Sequence, residues 1–150
     1  MRLITYSTKY NEDRTVHLVK ESAKNYGKST VIDSIEKAAE ILQYLFDAGN
    51  LPEERIWLLA LDGSRKVAGA FVVSQGTLNA SIVHPREIFT RAILAGASSI
   101  ILAHNHPSGS LDISNKDKEV SRRIKEAGDI MGIGLDDHII IAENDFVSAM

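Results

Sequence analysis

The chain has 150 residues, of which 44% are hydrophobic and 25% charged. That is the size of one domain able to bury roughly 68–70% of its unfolded surface, and the composition excludes disordered and fibrous classes. A formal net charge of −3 disfavours broad electrostatic binding to nucleic acid, and the absence of cysteine excludes disulfides and thiolate ligands, so any metal must be held by His, Asp, Glu or water.

The N-terminus MRLITYSTKY has no basic stretch followed by an apolar core, and no apolar run reaches the roughly 18 residues of a membrane span. A cytoplasmic protein with no membrane partner is the default expectation. RLITYSTKY and RTVHLVKES alternate with period 2 around the turn residues NED, which predicts a β-hairpin over residues 2–21, with His17 a surface or pairing residue. AKNYGKST reads as a connector. Apolar residues at 35, 38, 39, 42, 45 and 46 then predict an amphipathic helix ended by Gly49.

RIWLLALDGSRKVAGAFVVSQG gives two strand-like runs around Asp62-Gly63-Ser64, a hairpin pattern. HPREIFTRAILAGA predicts a helix with Pro85 in its first turn, apolar positions Ile88, Ile93 and Leu94, and His84 just before it. SSIILAHNH predicts a buried strand whose C-terminal end is exposed. SNKDKEVSRRIKEAGDIMG predicts a helix with Ser114 at its N-cap, and LDDHIIIAE a last strand. The order β-β-α-β-β-α-β-α-β implies an α/β protein, an α+β mixed sheet flanked by helices. Arg122, Arg123 and Lys125 leave room for a local nucleic-acid patch, but on this helix they read first as a solvated face.

The stretch HNHPSGSLDISNKD, residues 104–117, carries the chemistry. Residues two apart in a strand share a face, so His104 and His106 can reach one ion, or form a hydrogen-bonded pair at a strand end. SNKD is itself a capping box in which Ser114 and Asp117 satisfy the first N–H groups of a helix. Counting back from Met131 through Ala127, Ile124 and Val120 nevertheless places Asp117 on the core side, where an ionised carboxylate needs a cation or several donors. His104, His106 and Asp117 together make a three-ligand N,N,O set, the composition of a catalytic zinc site with one position left open.

His104-x-His106, seven residues, Ser114, two residues and Asp117 resemble the H-x-H-x(7)-S-x(2)-D signature of the JAMM (JAB/MPN-type) metalloproteases, and AHNHPSG with LDDHIII resembles the RadC branch of that family. The similarity runs from about Glu54 to the C-terminus. It implies a JAB/MPN, cytidine-deaminase-like core over residues 51–150, preceded by a hairpin-helix extension over residues 1–50. Two departures stand out: Asn105 lies where deubiquitinating members carry Ser or Thr, and the helix-hairpin-helix DNA-binding segment of full-length RadC proteins is not recognisable in residues 1–50.

The resemblance further implies Zn²⁺ on His104, His106 and Asp117, with Ser114 donating to the oxyanion of a tetrahedral intermediate. A glutamate ahead of the first strand of the core serves as proton carrier. PEERIWLLALD offers Glu53 and Glu54, and the family's apolar alternation selects Glu54. The implied activity is a zinc metallopeptidase acting on an amide or isopeptide bond of a peptide or protein. The alternative is a DNA-repair-associated or protein-binding module without turnover. The letters HNH do not suggest an HNH nuclease, whose residues sit on separate elements. His138 reads either as a buried strand histidine or as a residue behind the metal ligands.

Overall fold

The computed structural model describes residues 1–76 and 83–150. Among them are the strands β1 (Arg2–Tyr10), β2 (Val16–Asn25), β3 (Arg55–Leu61), β4 (Val67–Gln75), β5 (Ser99–Asn105), β6 (Gly134–Ala142) and β7 (Asp145–Ser148). The helices are α1 (Ile35–Phe46), α2 (Pro85–Leu94) and α3 (Asn115–Met131). The strands form one mixed sheet in the order β2-β1-β4-β3-β5-β6-β7. The β1/β4 and β5/β6 pairs are parallel and the other pairs antiparallel.

Strand parity sorts the core into two layers. Trp57, Leu59, Ile101, Ala103, Ile139 and Ile141 face one side and pack under Ala38, Ile41 and Leu42 of α1. Ile56, Leu58, Ile100 and Leu102 face the other and pack under Ile88 and Phe89 of α2 and Val120 and Ile124 of α3. β3 and β5 are buried on both faces, which explains why they read as continuous apolar runs rather than alternating ones. No helix among the described residues is long and apolar enough to cross a membrane.

The β1–β2 hairpin extends to Arg2↔Asn25, four residues beyond the expected limit at residue 21. AKN looks polar enough for a connector, but it is the outer edge of the sheet, where the ladder to β1 needs only backbone groups. His17 is exposed, opposite Lys9. Helix α1 ends before Gly49: Asp47 itself adopts the left-handed conformation (φ 52°, ψ 43°) and donates its N–H to Gln43. Gly49 is needed for another reason, because a Cβ there would lie 1.9 Å from the Glu143 carbonyl oxygen.

On α2 the buried residues are Ile88, Phe89 and Ala92, while Ile93 and Leu94 are exposed. On α3 the buried stripe runs through Asp117, Val120, Ser121, Ile124 and Gly128, and Met131 is 47% exposed. The stripe passes Gly128 because the Ile133 backbone crosses so close that a Cβ at 128 would meet its carbonyl oxygen at 2.4 Å. β7 was not anticipated; it pairs with β6 across Glu143-Asn144, a turn without the glycine that usually marks such a hairpin.

Candidate metal centre

The C-terminal ends of β5 and β6 and the start of α3 meet at one end of the sheet. Ile100, Leu102 and His104 share a face of β5, so burial of the first two against α3 also aims His104 at it. β6 obeys the same parity: His138 pairs with Leu102 and lies diagonally beside His104 on that face. His106 follows the end of β5, and its backbone N–H donates to Ile141, which keeps it in line with the strand. Pro107-Ser108-Gly109 then turns the chain, with Gly109 at φ 86°.

Helix α3 begins with the capping box expected from SNKD. Ser114 Oγ accepts the Asp117 N–H (3.1 Å), and the Asp117 carboxylate accepts the Ser114 N–H (2.8 Å). Capping does not exhaust that carboxylate. Its Oδ1 lies 3.1 Å from His104 Nε2 and its Oδ2 3.6 Å from His106 Nε2, while the two imidazole Nε2 atoms are 3.0 Å apart. Asp117 and His104 are almost completely buried, and His106 is partly open to solvent.

The donor set fits a divalent ion. His106 Nδ1 lies 2.8 Å from the Ser110 carbonyl, which can only accept, so the hydrogen of a neutral His106 is on Nδ1 and its Nε2 lone pair points inward. A carboxylate and two imidazole nitrogens facing one another at these distances are compensated by a proton or a metal cation among them. One ligand atom from each of His104, His106 and Asp117 can be chosen so that all three lie within 4.8 Å of one another, so the cluster can hold a metal. Burial works to raise the Asp117 carboxyl, but the His104 contact and the Ser114 N–H outweigh it and hold the group well below the usual carboxylate range. Burial, reinforced by the neighbouring His104, pushes His138 down to about 3, so this imidazole is neutral.

A cleft of about 710 Å³ opens over the cluster and is lined by Glu53, Glu54, His106, Ser114, Lys116 and Asp117 among others. The sequence-selected residues therefore fall in two groups. His104, His106 and Asp117 are in mutual contact, and Ser114 and Glu54 stand on the cleft wall. Asn105, between the two histidines, is buried and points to the opposite face, where its amide Nδ2–H donates to the Glu53 carbonyl (2.9 Å) and its Oδ1 accepts the Arg55 N–H (2.7 Å). His84 is the N-cap of α2 without a side-chain cap bond.

Ser121 is the residue that sequence reasoning missed. Its Oγ lies 2.6 Å from His138 Nδ1, and His138 Nε2 lies 2.8 Å from His104 Nδ1. The signal was its spacing, one helical turn beyond Asp117 on the buried face of α3, where a hydroxyl needs a partner.

A mixed α/β sheet with a His-x-His strand end facing an aspartate on the next helix defines a JAB/MPN-type module with a metal-competent cluster. The chain belongs to the RadC-like JAB domain family, whose model matches residues 32–150. It is 47% identical over 113 residues to a UPF0758 protein of Finegoldia magna, covering 75% of this chain and 50% of that one. It is also 43% identical over 128 residues to a UPF0758 protein of Clostridium botulinum, covering 85% of this chain and 54% of the relative. A UPF0758 protein of Pelobacter propionicus is 40% identical over 118 residues, which cover 78% of this chain and 52% of the relative. The chain thus spans about half the length of the curated relatives it matches.

Proposed function

We propose that this protein is a zinc-dependent hydrolase that cleaves an amide or isopeptide bond in a peptide or protein. The observation that carries this reading is the convergence of His104 Nε2, His106 Nε2 and the Asp117 carboxylate, of which His106 and Asp117 line a cleft whose wall also holds Glu54 and Ser114. Three protein ligands of this N,N,O type leave a position open toward the cleft, as a catalytic rather than a structural zinc site requires. When bound, zinc would supply Lewis acidity, which polarises a carbonyl and acidifies water.

The chain's own groups divide the remaining work. Ser110 holds His106 through its Nδ1–H, and the capping contacts of Ser114 hold Asp117 on the first turn of α3. Ser114 Oγ accepts the Asp117 N–H, which leaves its own hydroxyl hydrogen for a substrate oxyanion; loss of one such donor costs about 10²–10³ in rate. Glu54 is the proton carrier, taking a proton from the attacking water and delivering it to the leaving amine nitrogen. A protein or peptide partner also suits the charge pattern better than nucleic acid, since Arg122 and Lys125 on α3 pair with Glu119, Glu126 and Asp129 of the same helix.

Metal analysis and zinc-dependent melting test this reading. Purified wild-type protein should carry about one zinc per chain. Zinc at 100-fold over its Kd should stabilise the wild type by about 2.7 kcal/mol and leave Asp117→Ala and His104→Ala unchanged. A folded, zinc-replete wild type without bound metal would exclude the proposal.

A further inference from the structure

From the metal cluster a chain of hydrogen bonds runs inward through two imidazoles and a hydroxyl, and its inner end meets two backbone carbonyls. Ser121 Oγ lies 3.0 Å from the Ala149 carbonyl and 3.2 Å from the Asp117 carbonyl. Both carbonyls only accept, and a hydroxyl hydrogen directed to either of them leaves an Oγ lone pair facing His138 Nδ1 at 2.6 Å. In that arrangement His138 carries its hydrogen on Nδ1. A neutral His138 then offers only a lone pair at Nε2, which must accept from His104 Nδ1–H at 2.8 Å. With its hydrogen on Nδ1, neutral His104 presents a bare Nε2 to His106 and Asp117.

We infer that Ser121 and His138 are positioning residues of the metal centre: starting from the Ala149 carbonyl, they fix His104 in the Nδ1–H tautomer and turn its Nε2 lone pair onto the ion. The inference rests on the reading of the cluster as a metal site. Every link is at least nine-tenths buried, so water does not compete for the roles. A space-filling role would be indifferent to the hydroxyl. In the relay, by contrast, Ser121→Ala leaves His138 Nδ1–H without an acceptor in the core, at a cost of about 1–3 kcal/mol. Moving the hydrogen to His138 Nε2 relieves that loss, but then His104 Nδ1 must accept and its hydrogen appears on Nε2, where the ion belongs. Removal of one oxygen is thereby felt two rings away.

The test uses the whole chain with Zn²⁺ alone as probe, by competition against a chromophoric chelator, together with long-range ¹⁵N NMR of the imidazoles in the zinc-free protein near pH 8. Wild-type His104 should carry its hydrogen on Nδ1. Ser121→Ala should move it to Nε2 and weaken zinc binding about 10–100-fold, the usual effect of losing such an outer partner. His138→Leu should weaken it similarly. His138→Gln, whose amide can accept from His104 and donate to Ser121, should stay close to wild type. A folded Ser121→Ala that binds zinc as the wild type does, or a wild-type His104 with its hydrogen on Nε2, overturns the inference. Should Ser121→Ala not fold, the wild-type tautomer and His138→Gln decide it. If the wild type takes up no zinc, the metal reading fails by itself, and the His104 tautomer still judges the relay.

Discussion

Asn105 grips the two peptide groups on either side of Glu54. Its Nδ2–H donates to the Glu53 carbonyl at 2.9 Å and its Oδ1 accepts the Arg55 N–H at 2.7 Å, so a side chain from β5 continues the ladder where β3 and β5 stop pairing at Ile56↔His104. The residue between the two candidate metal ligands is thus also the one that ties the glutamate-bearing segment to the metal strand. An asparagine is required because one end must donate and the other accept. Asn105→Asp keeps the shape, loses the donor and sets a carboxylate against the Glu53 carbonyl. The expected outcome is a loss of about 1–3 kcal/mol in urea denaturation and a fall in turnover, with zinc affinity nearly unchanged because neither imidazole moves. Equal losses in zinc affinity and turnover would show that Asn105 acts on the ligands instead.

Gly49 has the tightest approach to another backbone among the described glycines. A Cβ there would fall 1.9 Å from the Glu143 carbonyl oxygen, whereas Gly27, at φ 73°, has no atom within 4 Å of its Cβ position. Gly49→Ala must therefore push the turn after α1 away from the β6–β7 turn, and about 1–3 kcal/mol of stability should be lost. Gly27→Ala should cost only the left-handed strain, about 1–2 kcal/mol, without local rearrangement. Denaturation midpoints and amide shifts of residues near Glu143 separate the two; an unshifted Glu143 in Gly49→Ala would contradict the packing account.

The candidate metal cluster was legible in the sequence because its geometry follows from two local periods. Strand parity put His104 on the face of Ile100 and Leu102, and helical spacing put Asp117 above Val120 and Ile124. What escaped depends on how separate elements approach. Met131 fits the period of α3 but is left 47% exposed, while Gly128 takes the stripe because Ile133 crosses at that turn. Ser121 looks like any helical serine until β6 supplies His138 and the chain returns Ala149 to its other side. β7 escaped because Glu143 takes φ 53° without being glycine, at a turn set by pairing with β6 rather than by turn chemistry.

The buried, neutral His138 makes the metal-free protein acid-sensitive. Burial holds its folded value at about 3, whereas the unfolded chain titrates near ~6.5. Between those values the unfolded state binds a proton that the native state refuses, so this contribution is complete above about pH 6.5 and is lost as the pH falls toward 3. Asp117 acts in the same direction lower down, since its carboxyl is held below the usual range: its share is present above about pH 4 and disappears in stronger acid. In chelator, the unfolding free energy of the wild type should fall below pH 6.5 with a slope approaching one proton, about 1.4 kcal/mol per pH unit. His138→Gln should flatten the variant's own curve, so that the wild-type-minus-variant difference slopes across that window. Parallel curves would mean that His138 accepts a proton in the fold.

Glu53 and Glu54 both line the cleft, and the Asn105 clamp gives a reason to choose between them. Clamping the peptide groups before and after Glu54 fixes the direction of its Cα–Cβ bond, whereas Glu53 is held on one side only and its side chain is in solvent. A proton carrier must return to the same place in each cycle, so the constrained residue is the better base. Glu54→Gln preserves size and hydrogen bonding but cannot take a proton. It should keep the zinc content and the zinc-dependent melting shift of the wild type while turnover of peptide or isopeptide substrates falls about 10²–10⁴-fold. Glu53→Gln should leave both close to wild type. Were the loss to appear in Glu53→Gln, the base would move one residue upstream, and the clamp would be holding the wrong peptide still.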